Sequence, residues 1–251
     1  MADLLSTLIR EVPFALPKTQ GYSARWNEKW MGYDIEIPNG RMFYAESFFN
    51  AKWSDRTVEY LQEANNVDWR NIDWRGISEE ELNSINFKNV NWKQDHIKLY
   101  GKSIPLPRLT AWYGDPGRAY TYSGIKSEPN NWNEGLLHLK RRIEECTETD
   151  FNSVLLNWYR DGQDSLNWHS DDEKELGESP LIASANFGAS RDFLIRCKED
   201  KAQTISIPLK HGTLLVMGGP MQHFWQHSIP KRSGVKQSRF NMTFRKIAPT
   251  Q

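Results

Sequence analysis

The feature that most limits how this chain can fold is a run of eight short β-type segments between residues 151 and 247, separated by turn signals. They are FNSVLLNWY (151–159), SLNWH (165–169), LIASANF (181–187), RDFLIRC (191–197), TISIPL (204–209), TLLVM (213–217), HFWQHSI (223–229) and RFNMTFRKI (239–247). Asp161-Gly162, Gly188-Ala189-Ser190, His211-Gly212, Gly218-Gly219-Pro220 and Ser233-Gly234 break the run, and such residues reverse a chain. Parallel strands need long crossovers, usually helical, for which most of these gaps leave no room. The pattern therefore predicts a mainly β fold with flanking helices, an antiparallel double-stranded β-helix or jelly roll.

Two helices are expected beside it. Val58, Leu61 and Ala64 recur at helical spacing behind a cap at Ser54 or Asp55, predicting a helix to about Asn65. A second opens at Asn131 and runs to about Cys146, with Leu136, Leu139, Ile143 and Cys146 as its apolar stripe. Both would pack on one outer face.

The first 90 residues read as an N-terminal extension and residues 91–251 as the jelly-roll domain. Residues 1–50, rich in Pro and aromatics, are expected to form an arm wrapping the main body. Within the extension VDWRN-IDWRG (67–76) returns 18 residues later as INFKN-VNWKQ (85–94). Two copies are too few for a solenoid and suggest a duplicated edge element. The start MADLLSTLIREVPF, with acidic Asp3 and only a short apolar stretch, is unlike a signal peptide, and no apolar run reaches the ~18 residues of a spanning helix. Cys146 and Cys197 are too few for a disulfide framework. Together these favour a soluble monomer away from membranes, in the cytoplasm, or the nucleus of a eukaryote.

Charge divides along the chain although 32 Lys and Arg balance 32 Asp and Glu. Residues 55–81 carry three Arg against eight acids, residues 85–126 seven basic groups against two acids, and residues 231–246 six basic groups and no acid. Two basic stretches in a neutral chain could make a local face for a polyanion, with solvated loops as the plainer alternative.

Chemistry concentrates in the β region. His169 and Asp171, two apart on extended backbone, leave the same face and can grip one ion. His227 can supply a third ligand from another strand, and His223, four residues before it, is a rival from sequence alone. Two imidazoles and a carboxylate suit a facial Fe(II) centre with open positions. A second constellation is Arg239-Phe-Asn-Met-Thr-Phe-Arg245. Alternation puts Arg239, Asn241, Thr243 and Arg245 on one face and Phe240, Met242 and Phe244 on the other. Two inward guanidiniums are costly unless an anion meets them, and a dicarboxylate would do so. Asn157 and Tyr159, again two apart, can add hydrogen bonds.

These residues, with IKLYGK (97–102), PRLTAWYGDPGRAYTYSG (107–124), NWYRDG (157–162), WHSDDE (168–173), IASANFGASRDFLIR (182–196), HGTLL (211–215), WQHSIP (225–230) and RFNMTFR (239–245), resemble the AlkB family of Fe(II)- and 2-oxoglutarate-dependent dioxygenases, in its nucleic-acid-repair branch. The resemblance spans about residues 97–247. It implies iron on His169, Asp171 and His227, and 2-oxoglutarate, the cosubstrate used with O2, on Asn157, Tyr159, Arg239, Thr243 and Arg245, with Asn241 on the same face. His223 is no ligand in it. It implies oxidative demethylation of bases such as 1-methyladenine and 3-methylcytosine in DNA, with RNA as an alternative, yielding formaldehyde, succinate and CO2. Substrate contacts would come from Tyr100, Gly101 and Lys102 on a strand-probing hairpin, Arg108, stacking Tyr120 and Tyr122, and Asp172 and Glu173 near a cationic base. The rival readings are the same cofactor chemistry on a protein or small molecule, and an inactive jelly-roll binding module.

Overall fold

The computed structural model describes residues 11–99, 101–117, 120–122 and 125–248, with Leu99, 120–122 and 125–127 as backbone only. In chain order its strands begin with β1 (Ser23–Asn27), β2 (Gly32–Ile37) and β3 (Gly40–Ala45). Helices α1 (Ala51–Gln62) and α2 (Glu79–Ser84) follow, then the hairpin β4 (His96–Leu99) and β5 (Lys102–Pro105), β6 (Leu109–Gly114), and the hairpin β7 (Tyr120–Tyr122) and β8 (Ile125–Ser127). Helix α3 (Glu134–Thr147) leads into β9 (Ser153–Tyr159), β10 (Leu166–His169), β11 (Ile182–Gly188), β12 (Arg191–Cys197), β13 (Thr204–Leu209) and β14 (Thr213–Gly218). A short α4 (Met221–Phe224), β15 (Trp225–Ile229) and β16 (Arg239–Arg245) complete the chain.

Eight strands form a major sheet in the order β1-β2-β3-β14-β11-β16-β9-β6, and β10-β15-β12-β13 form a minor sheet. Every pairing within them is antiparallel. This is the expected jelly roll, and alternation fills the space between its sheets. Ile35, Met42, Tyr44, Leu215 and Met217 of the major sheet meet Phe193, Ile195, Ile205, Ile207 and Trp225 of the minor one. The other face of the major sheet carries Leu156, Trp158, Ala183, Ala185, Phe240 and Phe244, on which both long helices lay Leu61, Leu136, Leu139 and Ile143.

Residues 23–45 are three strands of the major sheet rather than a wrapping arm. β3 pairs with β14 from Leu214↔Ala45 to Gly218↔Arg41. The overlooked signal was Pro38-Asn39, which reverses the chain between the runs GYDIEI and GRMFYA, with Asn39 at φ +56° at the second corner. Helix α1 starts earlier than expected because Asn50 is its cap, its side chain accepting the Trp53 N–H at 3.0 Å. Asn133 caps α3 in the same way. Glu79–Glu81, much of the acidic stretch, lie in the first turn of α2, where Ser78 and Glu81 form a capping box.

The duplicated segment is not an edge strand. In three of its units an apolar residue accepts a hydrogen bond from the aromatic two positions on: Trp69 to Val67, Trp74 to Ile72 and Trp92 to Val90, at 2.9, 3.2 and 3.0 Å. Two of these turns, together with Phe87 of the remaining unit, plant aromatic rings against β9. Trp74, Phe87 and Trp92 lie 4.6, 6.1 and 5.4 Å from Trp158, ring centre to ring centre. Among the described residues no helix is long and apolar enough to cross a membrane.

Candidate metal centre

His169 closes β10, and the register sets it directly opposite His227 of β15. That cross-strand pairing brings the two rings to 4.1 Å between centres. Asp171 lies just beyond the strand end, its Oδ1 3.8 Å from His169 Nε2. One donor atom from each of the three residues lies within 4.8 Å of the others. His223 is not among them. It sits in α4, its Nε2 on the carbonyl of Glu178 at 2.6 Å, because the chain turns helically before Trp225 and takes His223 off the strand face it would share with His227.

Local bonds prepare the donors. His169 Nδ1 lies 2.8 Å from the Asn167 carbonyl, which assigns the proton to Nδ1 and leaves the Nε2 lone pair for an ion. Burial, with His169 alongside, pushes the His227 pKa down to about 3, so the ring is neutral. Burial also lowers that of His169. For Asp171 burial is the largest single influence and acts upward, but Arg245, His227 and His169 together outweigh it and hold the carboxyl at about 2. Arg245 Nη2 donates to Asp171 Oδ2 at 2.8 Å. Asp171 Oδ1 is buried without a hydrogen-bond donor. Two neutral imidazoles and an ionised carboxylate with one unmatched oxygen suit a divalent cation.

The cavity beside these donors is lined by both sheets, with Asn157, Tyr159, Ser184, Arg239, Asn241, Thr243 and Arg245 from the major sheet. Arg239 is 2% exposed. Its Nη2 donates to Asn186 Oδ1 at 2.6 Å and its guanidinium lies 4.9 Å from the centre of the Tyr159 ring. Nε and Nη1 have no hydrogen-bond partner, and burial lowers its pKa to about 10. A guanidinium this buried, with no carboxylate paired to it among the described residues, fits an anion in the cavity. Asn241 Nδ2 donates to Ser184 Oγ at 2.8 Å, and its Oδ1 accepts from Thr243 Oγ1 at 3.0 Å and Asn157 Nδ2 at 3.4 Å. Sequence reasoning missed Ser184 and Asn186, although their two-residue spacing on β11 was a visible sign of a shared polar face.

The expected substrate residues are scattered. Gly101, at φ +76°, and Lys102 form the exposed end of the β4–β5 hairpin. Tyr100 lies outside the described residues, as do the side chains of Tyr120 and Tyr122. Arg108 is only 2% exposed and donates through Nε to Asn157 Oδ1 at 2.7 Å, so it is buried against a cavity-lining residue and not spread on the surface for a phosphate. Asp172 is at the surface, bonded by Lys198 Nζ at 3.1 Å. Glu173 opens the turn at Lys174–Leu176. The basic stretch 231–246 is likewise no continuous face, since Arg239 and Arg245 point inward and Arg232 pairs with Asp192 at 2.7 Å.

A jelly roll with a His-Asp-His donor set and an arginine-lined cavity defines a class, and the chain belongs to it: the 2OG-Fe(II) oxygenase superfamily, whose model matches residues 41–245. Its relatives then place it in the AlkB family. It is 50% identical over 156 residues to "Alpha-ketoglutarate-dependent dioxygenase alkB homolog 3" of Mus musculus, covering 59% of this chain and 54% of that protein. It is 41% identical over 162 residues to "DNA oxidative demethylase ALKBH2" of Mus musculus, covering 62% and 68%. The match thus spans about half the length of the first of these relatives.

Proposed function

We propose that the chain is an Fe(II)- and 2-oxoglutarate-dependent dioxygenase that demethylates N-alkylated bases, of the 1-methyladenine and 3-methylcytosine type, in DNA. The observation that carries this reading is the pairing, in one cavity, of the His169–Asp171–His227 donor set with the buried, half-satisfied Arg239. His169, Asp171 and His227 would hold the iron. Arg239 would take one carboxylate of 2-oxoglutarate, with Tyr159, Asn157, Asn241, Thr243 and Arg245 completing its wall. Bound Fe(II), with 2-oxoglutarate and O2, supplies oxidation of an N-methyl group, releasing formaldehyde, succinate and CO2.

The chain's own part is positioning and exclusion of water. Phe193 stacks on His227 at 5.0 Å and Leu166, Met217 and Ile229 line the same cavity, keeping the donors in apolar surroundings. Arg245 orients Asp171. A base within a duplex must leave its stack to reach such a centre, and the hairpin tip with Tyr100, Gly101 and Lys102 would probe the strand while Tyr120 and Tyr122 stack on the base. Asp172 and Glu173 would favour cationic lesions over ordinary bases. The name of the second relative, a DNA oxidative demethylase, supports DNA as partner.

Mass spectrometry of single- and double-stranded oligonucleotides carrying 1-methyladenine or 3-methylcytosine tests this, with RNA of the same sequence as a further arm. Loss of the methyl mass only with Fe(II) and 2-oxoglutarate is expected. Succinate formation that ignores every methylated oligonucleotide but rises with a methylated peptide or small molecule would overturn the substrate.

A further inference from the structure

Asp171 depends on a residue that the donor set itself does not include. Gln222, in α4, is 1% exposed, and its Oε1 accepts the backbone N–H of Asp171 at 3.0 Å. Among the described residues its one other side-chain bond is weak, from Nε2 to Met217 Sδ at 3.7 Å. Packing alone would be served as well by a leucine, and burying an amide is costly unless it is used. The neighbours of Asp171 are tied to the same place. Ser170 Oγ donates to the Trp225 carbonyl at 2.9 Å. Lys198 Nζ bonds Asp172 Oδ2 at 3.1 Å and the carbonyl of Gln222 at 3.0 Å. Three consecutive residues of the ligand turn are thus each held by α4, by the first residue of β15, or through a lysine that bonds both sides. The strand that α4 leads into carries His227.

We propose that Gln222 is a positioning residue for the metal centre: its amide fixes the backbone of Asp171, and with it the direction of the carboxylate relative to His227. Arg245 pulls on Oδ2 from β16, while Gln222 holds the N–H from α4. The carboxylate is therefore set between two anchors, and losing one lets the turn 170–172 swing toward the other. Partners behind the ligands of a metal typically carry about 10–100-fold in metal affinity. The inference rests on the metal-centre reading above.

Co(II), which is stable in air and has visible absorption bands sensitive to ligand geometry, is the probe. Wild-type protein should bind one Co(II), and His169→Ala should abolish that binding. Gln222→Met, close in length but lacking a strong acceptor, should weaken Co(II) by about tenfold or more and shift its visible bands. Gln222→Glu, which keeps an acceptor at the same reach, should stay within about threefold of wild type. Lys198→Met, at the edge of the same clamp, should change affinity in the same direction by less, and it supplies the measurement should Gln222→Met fail to fold. Unchanged affinity and spectrum in a folded Gln222→Met protein, whatever its thermal stability, would make the bond merely structural and overturn the proposal. A Gln222→Glu protein as weak as Gln222→Met would overturn the acceptor role. Wild-type protein that binds no Co(II), or binds it equally well after His169→Ala, would instead remove the metal-centre reading beneath it.

Discussion

Strands β9 and β16 show one chemistry to one side of the major sheet and another to the other. Toward the minor sheet they present Asn157, Tyr159, Arg239, Asn241, Thr243 and Arg245. Toward the helices and the duplicated segment they present Leu156, Trp158, Phe240, Met242 and Phe244. The register is continuous, from Arg239↔Tyr159 to Arg245↔Ser153, so a shift of one residue would exchange the faces. The rear face is satisfied in every direction, with Trp158 enclosed by Trp74, Trp92 and Phe240 and its Nε1 donating to Ser238 Oγ at 2.9 Å. On the front face, Arg239 keeps buried polar atoms without hydrogen-bond partners, as does Asp171 across the cavity. Stability and binding are thereby assigned to opposite sides of the same backbone.

Substitutions on the two faces should separate accordingly. The largest effect is expected at the metal: Asp171→Ala should abolish Fe(II)-dependent succinate formation, measured against the wild-type rate. Residual turnover near wild type would take Asp171 out of the ligand set. Trp158→Ala, on the rear, should cost about 3–5 kcal/mol of folding free energy in urea unfolding. If its main effect were instead a higher 2-oxoglutarate requirement in a fully stable protein, the division of faces would fail.

Arg239→Met should behave in the opposite way. Loss of a charge-assisted pair should weaken 2-oxoglutarate by about 1.5–3 kcal/mol, read as KM in the succinate assay, while folding stability holds or rises because an uncompensated buried charge is gone. A protein destabilised by the change, with its KM intact, would place Arg239 on the structural side. The smallest effect belongs to the exposed hairpin lysines. Lys98→Glu with Lys102→Glu should lower oligonucleotide affinity and flatten its salt dependence, by about one unit of slope per lysine. An unchanged slope would make that hairpin a bystander.

The front face was legible in the sequence because strand alternation is rigid. Given that 239–245 is a strand, Arg239 and Arg245 had to share a side, and the same rule joined Asn157 to Tyr159. The His169–His227 contact was less so, since it depends on a cross-strand register that no local pattern encodes, and a four-residue helix was enough to remove His223. Gln222 could not be read, because its role rests on a tertiary bond to a backbone N–H. Arg108 misled through its charge: in sequence it belonged to a basic stretch, and only packing shows that it faces inward. Of the N-terminal strands, the Pro38-Asn39 turn was a usable signal, overshadowed by the aromatic content around it.

The duplicated segment has an optical consequence. Trp74 and Trp92 meet Trp158 at interplanar angles of 65° and 64°, neither parallel nor perpendicular. Indoles held so close at oblique angles share their electronic excitations, and the shared transition is chiral. The trio should therefore give the folded protein a paired positive and negative band in circular dichroism that no isolated tryptophan produces. Because two of its members come from the repeat and one from the sheet behind the cavity, that signal reports the docking of one on the other without any added label.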